Sequence, residues 1–423
     1  MNVRLLSIPG KIWFALEVAT AGRFGPIDKR RKTFQTDEAN EDKAVPMMKP
    51  TNWSNKAEDK DMGNFSTQKS DKLKRTWYVL VLVLLWSVNG KAQDIHYSQF
   101  YMAPLHLNPA MAGVMNCNNR VITNYRNQWA TVLTNPYNTF SASYDQKVPV
   151  GRADYFGWGA SAWGDIAGET KYKQFMGRLS GSFSKKLFGG RNTSHYLVAG
   201  ADIGINQRSL DLGALRFGSQ YDPLTGVFDP SAPPDPTLEL ITPTTFFDVS
   251  GGLLWFSVFD RRTNVYAGAA LAHINRPNVS MIESEFQLYQ RLTLHGGGEF
   301  PVSQTLSLVP GFVVFSQGPS FEGNIGNSFR FDMGSTNFFS QSFEVGAWVR
   351  VVNNYIDETS KNFGAESVIL STRFNYNEFG LGFSYDWNVS KLRGASRGNG
   401  AFEFSLNYLI CGPESRGLYC PTF

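Results

Sequence analysis

The stretch AFEFSLNYLI, Ala401 to Ile410, alternates without a break. Phe402, Phe404, Leu406, Tyr408 and Ile410 fall on one face of an extended chain, and Glu403, Ser405 and Asn407 on the other. A period of 2 is the signature of a β-strand with two chemically different faces. The pattern returns in EFGLGFSYDW, where Phe379, Leu381, Phe383, Tyr385 and Trp387 oppose Gly380, Gly382, Ser384 and Asp386. It returns again in FMGRLSGSFS, where Phe175, Leu179 and Phe183 alternate with Arg178, Ser180 and Ser182. From Arg120 onward such segments follow one another with almost no apolar pattern of period 3.6, so the chain reads as all-β.

Alternation alone fits two architectures. In a soluble sandwich the apolar face meets a core and the polar face meets water. In an outer-membrane barrel the apolar face meets lipid, and small and polar residues line the lumen. Three features select the barrel over two soluble β-domains. Strands are expected near 120–126, 138–146, 154–164, 173–184, 195–206, 245–257, 263–274, 288–300, 304–316, 327–334, 341–352, 365–375, 378–388 and 400–409, fourteen in all, and single-chain bacterial barrels take an even number. Tight connections such as FDRRT and NYNEF alternate with long ones, RNQWATVLTNPYN, VSKLRGASRGNG and the stretch from Ser209 to Thr244. The 14% aromatic content and 40 Gly suit interfacial girdles outside and close-packed small residues inside. The expectation is a 14-stranded antiparallel transmembrane β-barrel of the outer membrane over residues 120–410, closed so that no backbone edge faces lipid.

The one long apolar run, WYVLVLVLLWSV from Trp77 to Val88, is too short for a bilayer core that needs about 20 residues. It follows Lys72, Lys74 and Arg75 and precedes the small residues Gly90 and Ala92, the parts of a secretory signal peptide. Residues 62–92 are expected to be that signal, cleaved between Ala92 and Gln93. Residues 1–61 are polar and lack sustained periodicity. They read either as an upstream in-frame extension or as a disordered leader. Sixteen of the 40 Lys and Arg, but only 10 of the 36 Asp and Glu, lie in residues 1–92, so the chain from Gln93 onward is slightly acidic. The basic face that nucleic acid requires is not expected.

Between the cleavage point and the first strand stands QDIHYSQFYMAPLHLNPAMAG, crowded with aromatics, Asn and Pro. Its Ser98-Gln99-Phe100, Leu107-Asn108-Pro109-Ala110 and Ala112-Gly113, followed by RVITNYRNQW (Arg120 to Trp129) and SASYD (Ser141 to Asp145), resemble the PorP/SprF family of the type IX secretion system of Bacteroidetes. The resemblance runs from Gln93 to Phe423 and returns in the closing CPTF. It implies an outer-membrane barrel, exported through a cleaved signal peptide, that assists export or cell-surface attachment of partner proteins such as gliding-motility adhesins. It implies no enzymatic activity and no cofactor. The positions that match the signature are Gln99, Asn108, Pro109, Gly113, Asn124, Arg126, Trp129 and Asp145. The implied partners are exported surface proteins, other secretion-system components and membrane lipid. No small-molecule substrate is expected.

Pro104 and Pro109 exclude a long helix from residues 93–119, yet the aromatics do not suit a solvated tail. The segment is expected to pack into or under the periplasmic mouth, where it would narrow the lumen as a plug or offer a docking surface. A search for catalytic chemistry finds little. Of the five His, His273 and His295 fall on neighbouring expected strands. The phase of His295 with Thr293 points it to the lumen and that of His273 is ambiguous, while a hydrolase would need a Ser and a His within hydrogen-bond reach, usually with a third group orienting the His. HGGGEF (His295 to Phe300) lacks the Lys and the helix of a phosphate loop, and its Gly read as small lumen residues.

Cys117, Cys411 and Cys420 make an odd count. In an oxidising compartment a bridge between Cys411 and Cys420 is expected, within a periplasmic tail of residues 411–423. The connection from Ser209 to Thr244 is long enough to be functional, and Tyr221, Asp222 and Asp229 are its candidates for contact with a partner. Those Asp lack the spacing of a calcium loop. Two other readings stand beside the secretion component: a diffusion channel or hydrophobic-solute transporter of similar strand number, and a membrane-embedded hydrolase.

Overall fold

Every segment of period 2 is a strand. The computed structural model describes residues 94–423 apart from 169, 191–192, 212, 214–219, 223, 230, 233–240, 261, 283–284, 336–339, 356–360, 413–419 and 422–423. The signal, its cleavage site at Ala92 and Gln93, and the leader lie outside the described residues. The strands are β1 (Asn119–Gln128), β2 (Tyr137–Val150), β3 (Asp154–Ala167), β4 (Tyr172–Phe188), β5 (Ser194–Ser209), β6 (Thr244–Val258) and β7 (Asn264–Ala272). They continue as β8 (Arg291–Pro301), β9 (Leu306–Gln317), β10 (Ser320–Ser335), β11 (Ser340–Tyr355), β12 (Lys361–Tyr376), β13 (Phe379–Asn388) and β14 (Asn399–Ile410). Each pairs antiparallel with its sequence neighbours, and β1 closes on β14 with Asn119 opposite Ile410 and Gln128 opposite Ala401. The product is a closed 14-stranded barrel with no free sheet edge.

The faces divide as the alternation requires. On β14, Phe402 and Phe404 are exposed outward, while Glu403 and Ser405 are buried in the lumen. On β4, Phe175, Leu179 and Phe183 point out and Arg178, Ser180 and Ser182 point in. Two expectations need correction. The tenth strand is longer than 327–334, because Gly323, Asn324 and Gly326 look like loop but belong to the ladder. A Cβ on Gly326 would fall 2.7 Å from the Cα of Trp348 on β11. Residues 318–319, between β9 and β10, are consequently a short turn, where the alternation of tight and long connections would have made this one long. The end bearing Asn119 and Ile410 is the near end below, and the opposite one the far end.

The second correction concerns the segment before β1. It packs into the barrel as one alternative had it, but it does not stop at the mouth and runs the length of the lumen. Asp94 lies level with the far ends of β8 and β9, its backbone N–H donating to Gln317 Oε1 at 3.0 Å and its carboxylate 3.4 Å from Arg291. From there the chain descends through short helical turns at Phe100–Met102, Pro104–Leu107 and Pro109–Met111 to the near end. Pro104 and Pro109 each open a turn, where the absent N–H is harmless. Asn108 caps the third, its side chain accepting from the Ala110 N–H at 2.9 Å.

Depth follows from the apolar content of both partners. Inward-facing Tyr155, Tyr196, Val198, Leu254, Phe256 and Trp348 form one buried cluster with Phe100, Leu107, Ala110, Met111 and Val114 of the segment. Full burial of one such side chain is worth about 1.5–3 kcal/mol, so a shallow seat would forfeit several of these contributions. The wall is thinned where the segment passes. A Cβ on Gly200 would fall 2.5 Å from the Ala110 Cα, and one on Gly157 would enter the Ala112 carbonyl.

Candidate functional site

Polar side chains fix this plug at three levels. Near the far end, Ser98 and Gln99 meet a buried ion network. Glu403 on β14 accepts from the Ser98 N–H at 2.5 Å and the Gln99 N–H at 2.9 Å. Arg126, directly opposite Glu403 in the β1–β14 register, pairs with it and donates to Ser98 Oγ at 2.7 Å. Arg350 on β11 donates to the same hydroxyl at 2.5 Å and to Asp386 on β13 at 2.9 Å. Asp386 also accepts from Ser98 Oγ, at 2.8 Å. Ser405 Oγ donates to Gln99 Oε1 at 3.2 Å. On the opposite wall His273 lies between two carboxylates, 2.5 Å from Asp94 and 2.8 Å from Asp248, and Asp248 pairs with Arg178 at 2.8 Å.

At mid-depth Asn108 Nδ2 donates to the Leu253 carbonyl at 3.0 Å and lies 3.0 Å from His295 Nε2. Gly268 makes room for both side chains. Asn124 Nδ2 donates to the Met102 carbonyl at 3.0 Å. Toward the near end the Gly113 N–H donates to Asp145 at 2.8 Å, and Gly113 has a φ of +70°, which favours glycine. Asp145 is held in turn by Arg120, its cross-strand partner, through two hydrogen bonds of 3.0 and 2.8 Å. Arg120 also donates to the Met111 carbonyl at 3.2 Å. Lys147 donates to the Met115 carbonyl at 2.7 Å.

The structure thus brings together seven of the eight signature residues. Gln99, Asn108, Pro109 and Gly113 belong to the plug, and Asn124, Arg126 and Asp145 to the wall that grips it. Trp129 stands apart. It follows β1 at the far rim with a φ of +65°, its N–H donating to the Gly400 carbonyl at 2.9 Å. Sequence reasoning missed Ser98, Arg120, Arg350, Asp386 and Glu403. Their signal was present: each wall residue among them is a charge on the lumen face of a strand whose other face is apolar. His273 and His295 face the lumen, but each binds the plug rather than the other.

The cysteine expectation is corrected. Cys117 is bonded to Cys411, with Cα atoms 4.4 Å apart, and Cys420 is a buried free thiol. Cys117 precedes β1 and Cys411 follows β14, so the pairing that closes the barrel sets them side by side. Cys420 returns to the same end, its N–H donating to Asn116 Oδ1 at 2.6 Å. At the far end Tyr221 bridges to Phe228 in a small hairpin. Asp222 accepts from the Leu224 N–H and the Thr225 hydroxyl, and Asp229 from the N–H and hydroxyl of Ser231. These hydrogen bonds hold both carboxyls below the usual Asp range. The two side chains shape their own loop and leave Leu224 and Val227 facing solvent.

No group of three or more His, Cys, Asp or Glu among the described residues is arranged to hold a metal. No curated protein matches the chain. Solved barrels are similar at a distance. CdiB from Escherichia coli is 8% identical over 69% of this chain and 63% of its own length, with a TM-score of 0.38. The toluene transporter TodX of Pseudomonas putida is 11% identical over 76% of this chain and 94% of its own, with a TM-score of 0.38. The Ralstonia pickettii toluene transporter TbuX is 11% identical over 76% and 96%, with a TM-score of 0.36. Likenesses this distant carry no inference about function. The family model described as type IX secretion system membrane protein PorP/SprF matches residues 89–408, which takes in the plug and nearly all of the barrel that grips it, and the chain belongs to that family.

Proposed function

We propose that this outer-membrane barrel assists the export or cell-surface attachment of partner proteins, adhesins among them, through its surfaces rather than through an open pore, and without enzymatic activity. The observation that carries the reading is where the signature residues lie: they hold a plug across the lumen. A diffusion channel would need that path clear. In this reading the near end faces the periplasm and meets other secretion-system components. The far end, with the Tyr221–Phe228 hairpin, meets the exported protein. Residues 62–92 direct export and are removed after Ala92, and the source is a member of the Bacteroidetes, with gliding motility one of the processes served.

The test is a clean deletion followed by proteomic comparison of the cell surface and the medium. Loss or release of one or a few exported proteins, with outer-membrane permeability unchanged, is the expected result. An intact surface proteome with altered solute uptake would overturn the proposal in favour of a channel or hydrophobic-solute transporter.

A further inference from the structure

The far end of the plug is tied to the wall through an imidazole. His273 stands buried just past the end of β7, with Nε2 2.5 Å from Asp94 of the plug and Nδ1 2.8 Å from Asp248 on β6. An ionised carboxylate only accepts hydrogen bonds, so each ring nitrogen has to carry a proton and the geometry is that of an imidazolium. The other histidines between plug and wall have different partners. His96 Nε2 lies 3.4 Å from the Arg126 guanidinium, which only donates, so it is the bare nitrogen, and His96 Nδ1 donates to Glu322 at 3.2 Å. His295 Nε2 faces the Asn108 amide nitrogen, Asn108 Oδ1 being taken by the Ala110 N–H, and it too is bare. His106 Nε2 faces the Ile95 carbonyl at 3.1 Å.

Charge surrounds His273 on several strands. Asp94 also lies 3.4 Å from Arg291 on β8, Asp248 lies 2.8 Å from Arg178 on β4, and Arg178 lies 3.7 Å from Asp202 on β5. With His273 protonated, its charge and two guanidiniums balance three carboxylates. Without that proton the buried cluster keeps one negative charge in excess, and a carboxylate faces a lone pair, an arrangement that low local dielectric penalises. Asp94 is the member that can leave, since the others stand on strands of the closed wall or, for His273, directly after one. We propose that Asp94, His273 and Asp248 form a proton-operated latch on the far end of the plug, closed while the imidazole is charged and released when its proton leaves. Asp248 stays beside His273 when the segment lifts and Asp94 does not, so the docked ring keeps its proton to a higher pH than the undocked one. The latch is therefore complete below the undocked titration point, loses up to tenfold in docking constant per pH unit between the two points, and is flat above the docked one. Release is an alkaline event. The inference concerns the plug alone and holds whether or not the barrel serves secretion.

The test uses the purified barrel in detergent micelles, with histidine rings labelled in carbon-13 and amides in nitrogen-15. The ring resonance lost in His273→Gln identifies His273, and His273→Asn serves where that variant fails to fold. Its titration is followed by NMR from pH ~5 to ~10, together with exchange of the Asp94 N–H that Gln317 Oε1 protects, corrected for intrinsic rates. The wild-type ring should be charged at neutral pH, and Asp94→Asn, which leaves the wall intact, should move its titration point down. Wild-type exchange should be flat at low pH and rise by up to tenfold per pH unit while the ring titrates. In Asp94→Asn the same N–H should exchange faster and show little dependence over that interval. A ring already uncharged at pH ~6, a titration point indifferent to Asp94→Asn, or wild-type exchange that ignores the titration would each overturn the proposal.

Discussion

Arg126→Ala should unseat the plug without unfolding the barrel. The guanidinium pairs with Glu403, lies 3.3 Å from Asp386 and donates to Ser98 Oγ at 2.7 Å, all three partners being buried. Removing one member of such a network leaves an uncompensated buried charge, typically at a cost of 3–5 kcal/mol. Here the cost falls at the low end, about 3 kcal/mol, because Asp386 keeps Arg350 at 2.9 Å and Glu403 keeps the N–H groups of Ser98 and Gln99. Withdrawal of the plug lets water reach Glu403, so the loss acts on the docked state and shifts docking by roughly 100-fold. Single-channel recording of the purified protein in planar bilayers should show openings more frequent by that factor. Hydrogen exchange at Ser98 and Gln99 should accelerate while β13 and β14 stay protected. Adding Glu403→Gln should recover part of the loss, since it removes the orphaned charge. Unchanged closed times and unchanged protection of Ser98 and Gln99 would refute the reasoning.

Four further outcomes are expected. Peptide mapping under non-reducing conditions should recover Cys117 linked to Cys411, and Cys420 should react with maleimide only after denaturation; a peptide joining Cys411 to Cys420 would contradict the closure argument. Gly200→Val should displace the Pro109–Met111 turn, because the new side chain enters space held by Ala110, and protease should then cut the segment in the folded barrel. Asn108→Ala removes the cap on Ala110 and the bond to Leu253, and should weaken plug docking by about 1–3 kcal/mol, read from the same exchange experiment. The Tyr221–Phe228 hairpin should respond to acid in one direction. Its Asp222 and Asp229 carboxyls are depressed, so their contribution is intact above the ordinary Asp range and is lost as pH falls through the lowered values. Exchange at Leu224 and Ser231 should be flat, once corrected for intrinsic rates, from neutral pH to pH ~5 and rise only below it.

The barrel was legible because strand alternation is a local property. Phe402 and Glu403 declare opposite faces whatever else the chain does. Ser320–Ser335 was less so, since Gly323, Asn324 and Gly326 carry loop composition; for Gly326 the reason lies on the neighbouring strand, where Trp348 needs the space. Of the wall residues that grip the plug, Asn124, Arg126 and Asp145 came to light through family resemblance, which marks positions without saying what they touch. Arg126 was marked, but Glu403 and Asp386, which complete its network, stand 277 and 260 residues away, and only closure of the sheet joins them. The depth of the plug was not legible at all. Its aromatics announce burial, but the depth is set by inward-facing Tyr196, Leu254 and Phe256, whose strands read like any others.

The bond between Cys117 and Cys411 spans 294 residues and flanks the two strands that meet last as the chain emerges. Because the plug leads directly into β1 at the near end, it can settle as the sheet curls or through the near mouth after closure, whereas the β1–β14 seam cannot form until the final strand arrives. Contacts of such long sequence separation form slowly. An oxidised pair at the seam makes the last of them hard to reverse, and it is the natural point at which a folding catalyst or a thiol oxidant would govern how much finished protein a cell obtains.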